Sequence, residues 1–107
     1  SRFGQAFTRA TRDAANLAVA SDLATARLQV VMGHATYSTI VSTYNGTSET
    51  SAGAANPSMD GYAGYTRTTA ATRTQNDSSD YVTVTVTLSA AVLKAPVAKT
   101  AVIAAFR

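Results

Sequence analysis

Residues 3–32 read FGQAFTRATRDAANLAVASDLATARLQVVM, a stretch with no proline and one early glycine. Its apolar side chains return at intervals of three and four residues, which places them on one side of an α-helix. The residues of this apolar stripe are Phe3, Phe7, Ala10, Ala14, Leu17, Ala24, Leu28 and Val31. The opposite side is mostly polar and carries Arg2, Arg9, Arg12, Asp13, Asn16, Asp22 and Gln29. The stretch predicts a long amphipathic helix with one face on a core.

The clearest strand of the chain is YVTVTVTL, residues 81–88. Valine and leucine alternate there with tyrosine and threonine, which is the pattern of a strand with one buried and one wet face. We expect the apolar set to face the helix, and it consists of Val82, Val84, Val86 and Leu88.

The segment between helix and strands is less uniform. Gly33 follows the last periodic residue of the helix and predicts a C-cap in the left-handed conformation. In residues 35–44 the apolar positions have helical spacing although many residues are β-branched, so both a short helical turn and an extended segment stay open. The four side chains that would anchor this segment on the core are Tyr37, Ile40, Val41 and Tyr44.

The rest of the chain reads as strands and loops. Residues 45–61 are a loop by composition, long enough to have a function of its own. Residues 62–74 predict one strand or a bent pair, residues 75–80 a polar turn, and residues 97–106 a final strand. The expected fold class is α+β, a long N-terminal amphipathic helix packed against a three- to four-stranded antiparallel sheet. It forms one domain over 1–107, with the helix in 1–34, a connecting segment and variable loop in 35–60, and the sheet in 61–107.

Composition predicts a thin core. Hydrophobic residues make up 46% of the 107, but many are alanines, which bury little area. Full burial of a leucine-sized side chain stabilises by roughly 1.5–3 kcal/mol, so a few larger residues must supply much of the stability. We expect these to be Leu17, Leu23, Leu28, Val82, Val84, Val86 and Leu88.

Charge and cysteine content exclude several classes of protein. The net charge of +3 is spread along the chain rather than gathered in a basic tail. There is no cysteine, hence no disulfide scaffold and no thiolate metal site.

No run approaches the ~18–20 apolar residues of a membrane-spanning helix. The opening Ser-Arg-Phe-Gly lacks both a methionine and a signal peptide, so we expect a cut chain whose helix was longer upstream.

No catalytic, cofactor-binding or metal-binding constellation is recognisable, and we expect neither an enzyme nor a cofactor. His34 is the single histidine and is interpreted as a capping or surface residue. Loop oxygens could suit a hard cation, but the EF-hand spacing is absent, so calcium is left open; they belong to Asn56, Asp60, Asn76, Asp77 and Asp80. The tyrosines are interpreted as core-rim and strand-edge residues rather than a stacking platform; they are Tyr37, Tyr44, Tyr62, Tyr65 and Tyr81.

In their order along the chain, these elements resemble the periplasmic part of type IV pilins and of type II secretion pseudopilins. The similarity is greatest to small minor pilins of the PilV and GspI kind. It rests on the helical run 17–32, the following segment 34–40, the Val/Thr strand 82–87 and the closing strand 97–104. Two marks of the family are missing here, namely its processed apolar N-terminus with a phenylalanine and a glutamate, and the C-terminal disulfide of some members.

The resemblance implies a structural subunit of a type IV pilus or type II secretion filament. Its N-terminal helix would pack against other pilin or pseudopilin subunits, and the loop 45–61 would give the surface its identity. A missing N-terminal segment would anchor the subunit in the inner membrane of a bacterial cell envelope, with the domain in the periplasm or in an extracellular pilus.

Rival hypotheses come from other classes. One is a module that binds DNA or another anionic ligand through Arg67, Arg73, Lys94 and Lys99, whose affinity would depend strongly on salt. Another is a virion or envelope assembly protein, which would need no upstream membrane helix. A hydrolase is the third and has no motif to support it.

Overall fold

A computed structural model describes residues 2–50, 59 and 62–105, with the side chains of the first helix described from residue 14 onward. The first element is helix α1, Arg2–Met32, as the apolar periodicity predicts. The members of the predicted stripe and polar face that precede residue 14 lie outside the described side chains. Of the predicted stripe, Ala24, Leu28 and Val31 are buried as expected, whereas Ala14 and Leu17 are exposed. On the polar face Asp22 and Gln29 are exposed.

A short helical connection leads from α1 to the sheet. One 3-10 turn, Tyr37–Thr39, continues into helix α2, Ile40–Tyr44, so the helical alternative is the correct one. Ile40 and Tyr44 are buried, and Tyr37 and Val41 pack partly buried against the core. The C-cap prediction is wrong in its conformation, because Gly33 does not have a positive φ. Its amide instead continues the helical pattern by donating to the carbonyl of Gln29 at 3.0 Å.

Four antiparallel strands form one sheet in sequence order. They are β1 (Thr47–Thr50), β2 (Thr66–Gln75), β3 (Asp80–Ser89) and β4 (Val97–Ala104). The pairing of β2 with β3 spans the whole of both strands, from Thr66↔Ser89 to Gln75↔Asp80. The domain is therefore α+β, a helix on an antiparallel meander.

The first strand corrects the sequence prediction. Residues 47–50 were expected in a loop but pair with β2, from Thr47↔Thr69 to Thr50↔Thr66. Gly46 enters the strand at a φ of 80°, a conformation that favours glycine, and its amide donates to the carbonyl of Thr69 at 2.9 Å. Of the remaining loop, residues 51–58, 60 and 61 lie outside the described residues, while Met59 is fully buried.

The core lies between α1 and the even-numbered side chains of β3. Val82, Val84, Val86 and Leu88 are all fully buried, which confirms the expected facing of this strand. On the helix, the buried residues are Ala20, Leu23, Ala24, Leu28 and Val31. Leu17 is the exception among the expected core residues, because its side chain is 52% exposed.

We expect Val84→Asp to lower the free energy of unfolding by about 3 kcal/mol or more, because it places an unpaired carboxylate in the core. Urea unfolding followed by circular dichroism measures this. Thr85→Asp is the control: Thr85 lies on the opposite sheet face, where its hydroxyl contacts that of Thr100 at 3.0 Å. Its substitution should cost about 1 kcal/mol, and equal losses for the two variants would contradict the facing of β3.

Candidate assembly surface and the charged clusters around it

The apolar stripe of α1 extends beyond the part of the helix that the sheet covers. Leu17 lies seven residues before Ala24 and eleven before Leu28, so all three point to the same side of the helix. Ala24 and Leu28 are buried, yet Leu17 is half exposed. The helical period therefore gave the correct side for Leu17, and the sheet ends before it can cover this residue.

An apolar groove opens beside Leu17. It has a volume of about 300 Å³ and is bounded on its other side by the connection between β3 and β4. The residues lining it are Val92, Leu93, Lys94, Ala95 and Pro96 of the loop and Val97, the first residue of β4. Because Leu17 and Val92 are both more than half exposed, the groove is open to apolar side chains from outside.

The outward side of α1 also carries apolar residues. Ala15 and Ala18 are exposed, and Val30 is 52% exposed. Small side chains let two helix backbones approach closely, and interaxial distances of packed helices are about 8–10 Å. We define the candidate assembly surface as this outward side together with Leu17 and the groove.

Arg67, one of the candidate anion-binding residues, is buried instead. It is only 1% exposed and lies on the helix-facing side of β2. Its Nε and Nη2 donate to the two carboxylate oxygens of Glu49 on β1, each at 2.9 Å. Its Nη1 donates to the backbone carbonyl of Leu23 at 2.9 Å. This fork-to-fork pair thus joins two strands to the helix.

Arg27 adds a second cation to the same carboxylate. Its Nε lies 3.1 Å from Oε1 of Glu49, and its guanidinium also donates to the hydroxyls of Thr69 and Thr47 at 3.2 Å each. Its guanidinium carbon is 5.0 Å from the centre of the Tyr44 ring, a cation–π contact. We call Arg27, Glu49 and Arg67 the buried triad.

A second charged cluster lies at the β2–β3 hairpin. Arg73 binds Asp80 through two hydrogen bonds of 2.9 and 2.6 Å, and Tyr37 donates to the same carboxylate at 2.8 Å. The hydrogen bonds from Arg73, together with the one from Tyr37, lower the pKa of Asp80 to about 2, although burial opposes the shift. Burial, reinforced by the neighbouring Asp80, raises the pKa of Tyr37. The cluster fastens the connection after α1 to the far end of the sheet.

The four basic residues of the anion-binding hypothesis do not form a free basic patch. Arg67 belongs to the buried triad, and Arg73 is bound by Asp80. The Nζ of Lys99 donates to the hydroxyl of Thr25 on α1 at 2.8 Å. Lys94 lies exposed in the loop that borders the groove.

His34 has a structural place. The hydroxyl of Thr39 donates to the carbonyl of Thr36 at 3.0 Å, so its oxygen is left to accept from Nε2 of His34 at 2.8 Å. Nδ1 then accepts from the Tyr44 hydroxyl at 3.2 Å. The histidine thereby links the end of α1 to α2.

The tyrosines do not form a stacking platform. Tyr44 and Tyr65 are buried, Tyr37 and Tyr81 are partly buried, and Tyr62 is 40% exposed. They lie on different elements, and their placement agrees with core and core-rim roles.

Oxygen ligands are likewise scattered. Among the described residues no group of three or more histidine or acidic side chains is arranged to hold a metal ion. Asp80 is bound by Arg73, Asn76 and Asp77 are exposed in the hairpin turn, and Asn56 and Asp60 lie outside the described residues.

Within the described part of the chain, no helix combines the length and apolarity needed to span a membrane. Comparison with known proteins gives no relative: no family model matches the chain, nor does any curated protein or any solved structure. The fold and the surface described above define an α+β domain with an incompletely covered helix.

Sequence reasoning missed the buried triad. A signal was present, because Arg67 has the same strand parity as Thr69 and Ala71, both of which are buried. A charge at an inward position requires a buried partner. Glu49 could not be proposed as that partner while its segment was assigned to a loop.

We expect Glu49→Gln to lower the free energy of unfolding by about 3–5 kcal/mol, because it leaves the guanidinium of Arg67 buried without a counter-charge. The double variant Glu49→Leu with Arg67→Met should recover most of that loss, since an apolar pair has no charge to desolvate. Urea unfolding of both variants measures the effect. A double variant less stable than Glu49→Gln would contradict this account of the triad.

Asp80 should make stability depend on acid pH. Because its pKa falls from 3.8 to about 2 on folding, the ionised carboxylate stabilises the folded state above pH 3.8, and this contribution disappears as the pH falls from 3.8 through 2. The parent should therefore be more stable than Asp80→Asn at pH 6, and the difference should shrink across that acid window. A difference that is constant from pH 6 to pH 2, in thermal unfolding at matched ionic strength, would contradict the ion pair with Arg73.

Proposed function

We propose that this chain is a structural subunit, a minor pilin or pseudopilin, of a type IV pilus or type II secretion filament. It acts by packing its N-terminal helix against the helices of neighbouring subunits and carries out no catalysis. In this proposal the sheet is the globular part that the helix carries.

The observation that carries the proposal is the half-exposed Leu17 on the buried side of α1. A helix whose only partner were its own sheet would bury this residue with Ala24 and Leu28, because all three share one stripe. Contiguous exposed apolar surface commonly marks a site of protein association. Leu17 and the adjoining groove together supply such a surface beside the helix.

The packing of the domain supports a role in assembly. The buried triad holds α1 against the sheet at Leu23 and Arg27. A neighbouring subunit that contacts the helix elsewhere would therefore bind a rigid unit of helix and sheet. The small residues Ala15 and Ala18 leave room for a neighbouring helix on the outward side.

The anion-binding alternative has less support. Three of its four candidate residues, Arg67, Arg73 and Lys99, already donate to groups of the same chain. A virion or envelope assembly protein would use the same apolar surface as a pilin. The encoded sequence before Ser1 separates these two, because the pilin proposal requires an apolar helix of about 20 residues there.

The functional test uses the full-length gene in its native cell, with Leu17→Asp. We expect the variant subunit to accumulate but to be at least tenfold depleted from the sheared and sedimented filament fraction on immunoblots. The reason is that a carboxylate in the groove would have to be desolvated when a neighbour docks. Because Leu17 is half exposed, the thermal stability of the purified 107-residue domain should change little.

Thr72→Asp is the matched control. Thr72 is exposed on the sheet face that points away from α1, so the same new charge there should leave incorporation intact. Normal incorporation of Leu17→Asp, or equal depletion of both variants, would refute assembly through the helix.

A further inference from the structure

Strand β4 ends the sheet with an unusually regular edge. It is eight residues long and pairs with β3 from Leu88↔Val97 to Tyr81↔Ala104 without a bulge. No other strand in the described part of the chain pairs with its second edge. Proline, charge and bulges are the usual devices that keep such an edge from pairing with another chain. The strand contains no proline, and Lys99 is its single charged residue.

The backbone groups at this edge can be assigned. The amide of Ala105 donates to the carbonyl of Asp80 at 3.0 Å. In an antiparallel ladder, residues that bond to the neighbouring strand alternate with residues whose N–H and C=O point away from it. Counting back from Ala105, the odd-numbered residues of β4 bond to β3. The residues whose backbone groups point to the open edge are therefore Ala98, Thr100, Val102 and Ala104, all of them exposed.

These four residues are nearly symmetric about Ala101. Their order is alanine, threonine, valine, alanine, and threonine and valine have almost the same shape. If a second copy of the strand pairs antiparallel about a two-fold axis at Ala101, Ala98 faces the second copy's Ala104 and Thr100 faces its Val102. Each of the four N–H groups and four C=O groups then has a partner in the other copy. Val102, which is 62% exposed, gains a β-branched neighbour.

The single charge of the strand does not oppose this pairing. Lys99 points toward α1, where its Nζ donates to Thr25. In the register centred on Ala101 it faces Ile103 of the second copy, so the two lysines are not opposite one another. The remaining side chains of the strand are uncharged.

The two helices would lie side by side in this pairing. α1 packs on both β3 and β4. A helix seated between β3 and β4 would be two strand spacings, or about 9.5 Å, from the helix of the second copy in the joined sheet. That separation lies within the 8–10 Å interaxial distance of packed helices, so the two helices would lie in contact without overlapping.

We propose that the open edge of β4 binds β4 of a second copy of this chain, in the antiparallel register centred on Ala101. The two four-stranded sheets become one continuous sheet with two-fold symmetry. The interaction is made by the sheet edge and goes beyond the helix contacts of the proposed function, so either can fail without the other.

The register is tested by cysteine cross-linking of the purified 107-residue chain, which has no cysteine of its own. Ala101→Cys puts a single thiol on the two-fold axis, at a pair of residues whose Cα atoms would be about 4.5 Å apart. Disulfides form at Cα separations of about 4.4–6.8 Å. Mild oxidation should therefore convert most of this variant to a covalent dimer.

Ala98→Cys is the matched control on the same strand. In the proposed register its two thiols are six residues apart along the ladder, or about 20 Å, and should stay at least tenfold less cross-linked. Equal cross-linking of the two variants, or none of Ala101→Cys, would overturn the proposal.

Sedimentation equilibrium tests the interaction without a cross-link. The parent chain should pass from monomer to dimer as its concentration rises. Val102→Lys should weaken this association at least tenfold, because the two new charges would lie on diagonal neighbours about 7–8 Å apart. Thr72→Lys adds the same charge on β2, away from the edge, and should dimerise like the parent. A parent that stays monomeric, or a Val102→Lys variant that dimerises normally, would overturn the proposal.

Discussion

The need to neutralise Arg67 constrains the whole domain. A guanidinium that is 1% exposed must have its charge and its N–H groups satisfied inside the protein. Glu49 accepts hydrogen bonds from two of those N–H groups, and the Leu23 carbonyl accepts one from a third. The first contact requires β1 to lie beside β2, and the second requires α1 to cross the sheet at Leu23. One side chain therefore fixes the position of three elements.

This constraint divides the helix-facing side of the sheet into two unlike halves. Strand β3 offers fully buried valines and a leucine, whereas β1 and β2 offer Glu49, Arg67 and threonine hydroxyls. The helix matches this division, because Ala20 and Ala24 are fully buried while Arg27 reaches the polar half. The core stays thin, as the alanine content indicates, and polar contacts take over where apolar volume is lacking. The triad thus sets the orientation of α1 on the sheet, and the alanines allow the helix to approach the sheet closely.

The sequence predicted those elements whose pattern is local. The strict alternation of β3 and the helical period of α1 were each sufficient to predict the element, because each pattern repeats over several pleats or turns. Strand β1 could not be found in this way, since TSET contains no apolar residue and its buried contact, Arg67, comes eighteen residues later. The burial of Leu17 was predicted wrongly for a related reason. Periodicity shows on which side of a helix a residue lies, but how far the sheet extends beneath the helix depends on the tertiary structure. Arg67 was considered only in the rival anion-binding hypothesis, whereas the structure pairs it with Glu49.

The lengths of the elements explain why apolar surface is left over. A helix of 31 residues is about 46 Å long, whereas a strand of 10 residues extends about 33 Å. Even if the two were aligned, the sheet could not cover the whole helix. The uncovered portion on the described side begins near Leu17, and its apolar character gives no benefit to a domain that works alone. The subunit partner of the proposed function would supply the missing cover at Leu17.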